Sequence, residues 1–165
     1  MELDLLFEVT PGHRKVTEIV EYGDNLSDIM NGKMSGSNGA CFDLHVVADT
    51  TGKLTGKTRA IVTMFIKPNG ETSLNLREAL TLTTGECIHL EGTGISLPGE
   101  KPGWVKAKGS FKFFTTSKSY DWVNTTMAVF EAWGDPGLMN IALTAVSITD
   151  PVFVPHRIMK KPLAA

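Results

Sequence analysis

Hydrophobic and polar residues alternate through most of this chain, and short clusters rich in glycine, proline or asparagine interrupt the alternation. Residues 1–10, MELDLLFEVT, are typical of a strand because every second side chain is apolar. The same pattern predicts strands over residues 40–49, 57–67, 86–95, 111–116, 127–133 and 138–149, and one long or two short strands over residues 71–85. Residues 15–22 fit either a strand or a helical turn.

Turn signals separate these segments and leave room for one short helix. Asn69-Gly70 is a strong hairpin signal. Residues 24–32 favour a helix, because Leu26, Ile29 and Met30 recur at helical spacing and Gly32 can end it. The proline- and glycine-rich residues 96–103 are expected to form a surface loop.

Eight to ten short strands at this spacing predict an all-β protein. Sequential hairpins favour an antiparallel up-and-down β-barrel, since closure removes the sheet edges. We expect residues 1–150 to form a single barrel domain with one short helix. Residues 151–165, with three prolines, are expected to form an extended C-terminal arm.

Charge and composition limit the classes of macromolecule that are expected to bind this protein. The 165 residues carry 16 basic and 18 acidic side chains, and the net charge of -2 gives no reason to expect nucleic acid or an anionic membrane as a partner. The N-terminus has acidic residues where a signal peptide would be basic, and no apolar run approaches the length of a membrane span. A cytoplasmic protein is therefore expected.

The aromatic-rich residues 109–134, GSFKFFTTSKSYDWVNTTMAVFEAWG, are the strongest candidate for a ligand pocket. In an extended chain, Tyr120, Trp122 and Asn124 would point to one face and combine an apolar wall with a polar anchor. The flanking aromatic residues Phe111, Phe113 and Trp133 would extend that wall. The alternative is a barrel corner in which the tryptophan packs and the asparagine caps a turn.

Acid–base candidates lie on alternating strand positions. Asp43 and His45 share one face of residues 41–49, and this face either meets solvent or lines a polar lumen. A histidine oriented by a carboxylate is the commonest general acid or base. If Phe42 and Leu44 point into the barrel, His45 points outward.

Two further charged residues lie among apolar neighbours. Arg77 either pairs with a carboxylate at the surface or binds a ligand oxygen. Glu131 either faces solvent or, if buried among aromatic side chains, has a raised pKa suited to proton transfer. The sequence contains no dinucleotide, phosphate-loop or nucleophile-elbow motif and no local metal-ligand spacing, so neither a cofactor nor a metal is expected.

Three segments resemble a family of small bacterial and fungal proteins of unknown function placed with the allene-oxide-cyclase-like, calycin-type barrels. They are ACFDLHVVAD with the glycine-rich stretch before it, NLREALTLTTGECIHLEGTG and, above all, FFTTSKSYDWVN, in which Val123 stands where leucine is usual. The resemblance covers roughly residues 35–149. It implies a barrel with a central hydrophobic pocket and, by analogy with the cyclases, cofactor-free isomerisation, cyclisation or elimination.

These observations lead to the hypothesis of a cofactor-free isomerase, cyclase or lyase acting on a hydrophobic small molecule of secondary metabolism or aromatic degradation. Tyr120 and Asn124 would bind a substrate oxygen and Arg77 would stabilise negative charge there. Glu131, or His45 with Asp43, would move a proton. The alternatives are a non-catalytic ligand-binding barrel and an assembly protein whose C-terminal arm docks on a neighbour, and a homo-oligomer is expected.

Overall fold

The computed structural model describes residues 2–10, 12–24, 26–30, 38–101, 104–135 and 140–149, and within these ranges nine strands form one antiparallel sheet. The strands are β1 (Glu2–Val9), β2 (Arg14–Glu21), β3 (Ala40–Thr50), β4 (Gly56–Ile66), β5 (Thr72–Leu82), β6 (Cys87–Pro98), β7 (Val105–Phe114), β8 (Ala128–Asp135) and β9 (Asn140–Thr149). Two short helices accompany them, α1 (Leu26–Met30) and a 3-10 helix (Lys118–Thr125). No helix in the described part of the chain is long and apolar enough to cross a bilayer.

The strands follow one another as an up-and-down meander from β2 to β9, and β1 adds to the far side of β9. The sheet curls until β1 reaches the end of β3. There the backbones of Glu8 and Thr51 exchange two hydrogen bonds of 2.9 and 3.0 Å. The predicted all-β barrel with one short α-helix is therefore confirmed, while the predicted arm over residues 151–165 lies outside the described residues.

The observed boundaries of several strands and of the first helix make the sequence predictions more specific. The ambiguous residues 15–22 belong to strand β2, and residues 71–85 contain the single long strand β5. The predicted loop over 96–103 begins later than expected, because β6 continues to Pro98 and its last residue pairs with Val105. Leu26 begins α1, where its backbone N–H donates a 2.6 Å hydrogen bond to the side chain of Glu21.

The segment around YDWVN is not extended as the pocket hypothesis assumes. It forms the 3-10 helix Lys118–Thr125, with a kink at Tyr120. With three residues per turn, side chains two positions apart no longer share a face. Val123, only 1% exposed, is the residue of this helix that enters the core.

Aromatic rings fill much of the barrel interior where β6, β7 and β8 meet. The rings of Phe111 and Phe130 lie 4.7 Å apart between centroids. Glycines on the neighbouring strands make room for them, because a Cβ at Gly109 would lie 2.5 Å from the Phe130 ring and one at Gly92 would lie 2.8 Å from the Phe111 ring. This half of the barrel is a packed core.

Candidate functional site

An acidic side chain lies inside the barrel. Strand β5 alternates strictly, and its inward positions are occupied by leucines with one exception. That exception is Glu78, which is 7% exposed and shares its face with Leu74, Leu76, Leu80 and Leu82. A carboxyl group buried among apolar side chains needs a partner or a proton, because burying an isolated charge is costly.

Thr58 supplies one partner from the neighbouring strand. Its buried hydroxyl donates a 2.9 Å hydrogen bond to Oε2 of Glu78. Burial raises the pKa of the Glu78 carboxyl above its ordinary 4.5, while the Thr58 hydrogen bond and the positive charge of Arg14 oppose that rise. The net direction is upward, so Glu78 retains its proton to higher pH than an exposed glutamate does.

Arg14 brings the opposite charge to the same region. It is the first residue of β2 and pairs with Ala48 on β3. Burial lowers the pKa of its guanidinium, and the negative charge of Glu78 counteracts this change. The side chains form no ion pair within 4.0 Å among the contacts of the described residues. Arg14 thus acts on Glu78 at longer range.

Glu78, Thr58 and Arg14 line a small cavity together with core residues. Its volume is about 40 Å³, which suits a few atoms and not a whole drug-sized ligand. Its lining comes from six strands: Phe7, Val9, Arg14, Val46, Ala48, Thr58, Ala60, Val62, Leu76, Glu78 and Leu143.

An open groove of about 350 Å³ lies on the outer face of β2, β3 and β4. Arg14, Ala48 and Thr58 line both spaces. The other groove residues are mainly polar: Gly12, His13, Lys15, Val47, Asp49, Lys57 and Arg59. Lys15, Val47, Lys57 and Arg59 occupy outward positions of their strands, so the groove and the cavity lie on opposite sides of the sheet.

The predicted residue Asp43 lies on the outer face of the sheet. It accepts 2.6 Å hydrogen bonds from the hydroxyls of Tyr22 and Thr63. These bonds lower the pKa of the Asp43 carboxyl. Because Phe42 and Leu44 are buried in the core, His45 also lies on the outer face, where its Nδ1 is 3.5 Å from Glu18 Oε2.

Arg77 faces outward as well, one position from the inward-facing Glu78. Arg77 lines a surface groove of about 500 Å³, and His45 and His89 line the same groove. The structure therefore brings two of the predicted residues, Arg77 and His45, into one groove. That groove lies on the opposite side of the sheet from the Glu78 cavity.

Two of the predicted residues in the corner between β7 and β8, Asn124 and Tyr120, contact neighbouring parts of the protein. Asn124 caps the corner, since its side-chain oxygen accepts a 2.8 Å hydrogen bond from the Thr115 N–H and its amide donates a 3.0 Å bond to the Thr115 carbonyl. Tyr120 is half-buried against the core, and its hydroxyl oxygen lies 3.5 Å from that of Thr84. Trp122 is 39% exposed.

The remaining predicted residues divide between the core and the outer face. Phe111 and Phe113 are buried, with ring centroids 6.3 Å apart. Glu131 and Trp133 point outward, and the Glu131 carboxylate lies 3.7 Å from the Lys108 ammonium. Trp133 stacks on Trp104 with ring centroids 6.0 Å apart, beside a groove of about 550 Å³ that also includes Glu131.

Sequence reasoning misses Glu78, Arg14 and Thr58. A signal for Glu78 is present, because it occupies a position of β5 where the alternation otherwise has leucine. The sequence prediction selects the neighbouring Arg77 instead, and a shift of one residue moves a side chain to the other face. No comparable pattern marks Arg14, whose strand is ambiguous in the sequence.

Comparisons with known proteins agree on the fold. No family model matches the sequence, and no curated protein matches it. The structure is similar to a protein of unknown function from Clostridium acetobutylicum, with 22% identity, a TM-score of 0.70 and coverage of 90% of this chain and 100% of that chain.

Two further solved structures extend this likeness. A β-barrel-like protein from Acinetobacter baumannii has 18% identity and a TM-score of 0.66, covering 90% of this chain and 96% of that one. An enzyme from Penicillium herquei has 14% identity and a TM-score of 0.57, covering 89% and 94%. At these identities the likeness shows a β-barrel-like fold, which bacterial and fungal proteins share.

Proposed function

We propose that this protein is a cofactor-free acid–base enzyme, of isomerase, cyclase or lyase type, acting on a largely apolar small molecule that carries an oxygen function. The observation that carries the proposal is the buried Glu78 carboxyl with Arg14 and Thr58 beside the same cavity. A buried carboxyl group with a raised pKa, near a fixed positive charge, can act as a general acid or base.

The size of the cavity decides how a substrate would bind. A space of about 40 Å³ admits only the reacting end of a molecule. Arg14 and Thr58, which line the cavity together with Glu78, would meet the substrate oxygen. The apolar neighbours Val46, Ala60 and Val62 would exclude water from the reacting atoms.

The chemistry follows from the two charge states of Glu78. In its ionised form the carboxylate would take a proton from a carbon next to a carbonyl group, and the electron pair would move to the carbonyl oxygen. Arg14 would stabilise the negative charge that develops there. Glu78 would then return the same proton to another atom of the substrate, so no external oxidant or co-reactant is needed.

Several wider expectations belong to the same proposal. Membership of the allene-oxide-cyclase-like family would suit an enzyme with this chemistry, and the Penicillium herquei neighbour is an enzyme. A cytoplasmic homo-oligomer acting in secondary metabolism, with no nucleic-acid or membrane partner, completes the proposal.

Hydrogen exchange tests the proposed chemistry and does not require the natural substrate. The protein is incubated in heavy water with a panel of apolar carbonyl compounds, and deuterium uptake is measured by mass spectrometry. We expect catalysed exchange for at least one compound, reduced about a hundredfold or more in Glu78→Gln. The matched control Glu71→Gln, at the β4–β5 hairpin, should retain the native rate.

Two outcomes would contradict the proposal. One is undiminished exchange in a folded Glu78→Gln variant. The other is loss of exchange in Glu131→Gln with retention in Glu78→Gln, which would move the chemistry to the outer face. Circular dichroism of each variant ensures that unfolding is not mistaken for lost catalysis.

A second candidate function is non-catalytic binding of a planar apolar ligand. The stacked Trp104 and Trp133 beside their groove of about 550 Å³ favour it, with the Lys101 ammonium 4.7 Å from the Trp104 ring centroid. Binding there would quench tryptophan fluorescence in the native protein and much less in Trp133→Ala. Unchanged quenching in that variant would remove this candidate.

A further inference from the structure

We infer that the outer face of the barrel carries a binding site for a small oxyanion, a carboxylate or phosphate group of a metabolite, between Arg59 and Arg77. This site is separate from the interior site of the proposed function. It lies in the groove of about 500 Å³ that His45 and His89 also line.

Strand register places the two guanidinium-bearing residues close together. Arg59 on β4 pairs with Ala79, and Arg77 on β5 pairs with Ile61, so the two arginines are diagonal neighbours. Side chains at diagonal positions on one face lie within reach of each other, at about 7–8 Å between backbones. Their side chains can therefore converge on one ligand group.

A small apolar residue, Ala79, forms part of the groove surface. Ala79 lies between Arg59 and His89 along the cross-strand row, because it pairs with both. Its methyl group leaves a depression where a longer side chain would fill the space. Ile61, 41% exposed beside Arg77, offers an apolar surface for the carbon skeleton that carries the anion.

The charge balance of the groove favours an anion. Neither Arg59 nor Arg77 has a carboxylate within 4.0 Å among the ion pairs of the described residues. Glu91 is the cross-strand partner of Arg77, and its carboxylate lies 3.3 Å from His89. Glu18 lies 3.5 Å from His45.

Two like charges placed together repel each other, and a bound oxyanion would relieve that repulsion. Arginine suits this role because its planar fork of N–H donors matches carboxylate and phosphate oxygens. His45 lies in the same cross-strand row as Arg77, and His89 lies in the same row as Arg59. The arginines supply the permanent positive charge of the groove.

The test measures binding of inorganic phosphate and of benzoate by amide NMR titration of the full chain. We expect saturable shifts centred on residues 59, 77 and 79 for at least one probe. The Arg59→Gln/Arg77→Gln variant should bind about tenfold or more weakly. A stronger response to benzoate would indicate a carboxylate ligand, and a stronger response to phosphate would indicate a phosphate ester.

A matched control removes the same number of charges elsewhere. The Lys112→Gln/Lys118→Gln variant changes two exposed cations outside the groove and should bind both probes within about twofold of the native protein. Glu78→Gln should also bind normally, so failure of this inference is distinguishable from failure of the proposed function. Absence of saturable binding, or equal weakening in the arginine and lysine variants, would overturn the inference.

Discussion

The hydroxyl of Thr58 donates a 2.9 Å hydrogen bond to Oε2 of Glu78 in the interior of the barrel. The two residues come from adjacent strands, β4 and β5, at positions where alternation otherwise places apolar side chains. The bond favours the ionised carboxylate, whereas burial favours the neutral acid, and burial prevails. A buried acid of this kind has consequences for stability that can be measured even while the substrate is unidentified.

Glu78 should make the protein less stable as the pH rises. The unfolded chain releases this proton near the ordinary pKa of 4.5, and the folded protein releases it at a higher pH. Between these two values the folded state holds more protons, so the free energy of unfolding falls as pH rises and levels off above the folded pKa. Urea denaturation from about pH 5 to about pH 9 measures this slope.

The Glu78→Gln variant provides the comparison, because its amide cannot titrate. Its free energy of unfolding should show a shallower decline over the same pH range, and Glu71→Gln at the exposed β4–β5 hairpin should follow the native curve. Parallel slopes for the native protein and Glu78→Gln would show that Glu78 is not the group responsible.

Gly109→Ala should destabilise the barrel through steric overlap. The added methyl group would lie 2.5 Å from the Phe130 ring and would also collide with the backbone oxygen of Thr93. Overpacking of this kind costs about 1–3 kcal/mol, and a value near the upper end is expected because the backbone cannot rotate away. Thermal denaturation measures the change.

Ser110→Ala is the control for that substitution, since Ser110 is the exposed next residue of the same strand. It should leave the melting temperature nearly unchanged. A Gly109→Ala protein as stable as the native one would contradict the packing of Phe130 against the glycine.

Asn124→Ala should weaken the corner between β7 and β8. It removes the acceptor for the Thr115 N–H and the donor to the Thr115 carbonyl. We expect a loss of about 1–2 kcal/mol, because two backbone groups lose their partner. Lys118→Ala in the same 3-10 helix should cost much less, and equal losses in the two variants would argue against the cap.

The architecture is predictable because strand alternation and turn chemistry are local properties. The run ACFDLHVVAD and the Asn69-Gly70 turn each specify their own structure, and β3 and β4 form where expected. The YDWVN segment is harder, because its aromatic residues fit an extended strand as well as a 3-10 helix. Only the packing of Val123 against the core distinguishes the two.

The site is less predictable, because it depends on which face of each strand is inside. The alternation of β5 already contains that information, with Glu78 in register with four leucines. By contrast, the approach of Arg14 to this carboxyl depends on the curl of the sheet, which brings β2 across from β5. Long-range placement of this kind is not encoded in any short segment.

Glu78 is a buried acid with a raised pKa, and carbon NMR titration of the glutamate carboxyl groups measures that pKa. The Glu78 resonance, assigned by its absence in Glu78→Gln, should titrate with a midpoint clearly above 4.5 and move higher still in Arg14→Met. A midpoint at or below 4.5 would contradict the account, because the carboxyl would then be ionised in the folded protein as readily as an exposed glutamate.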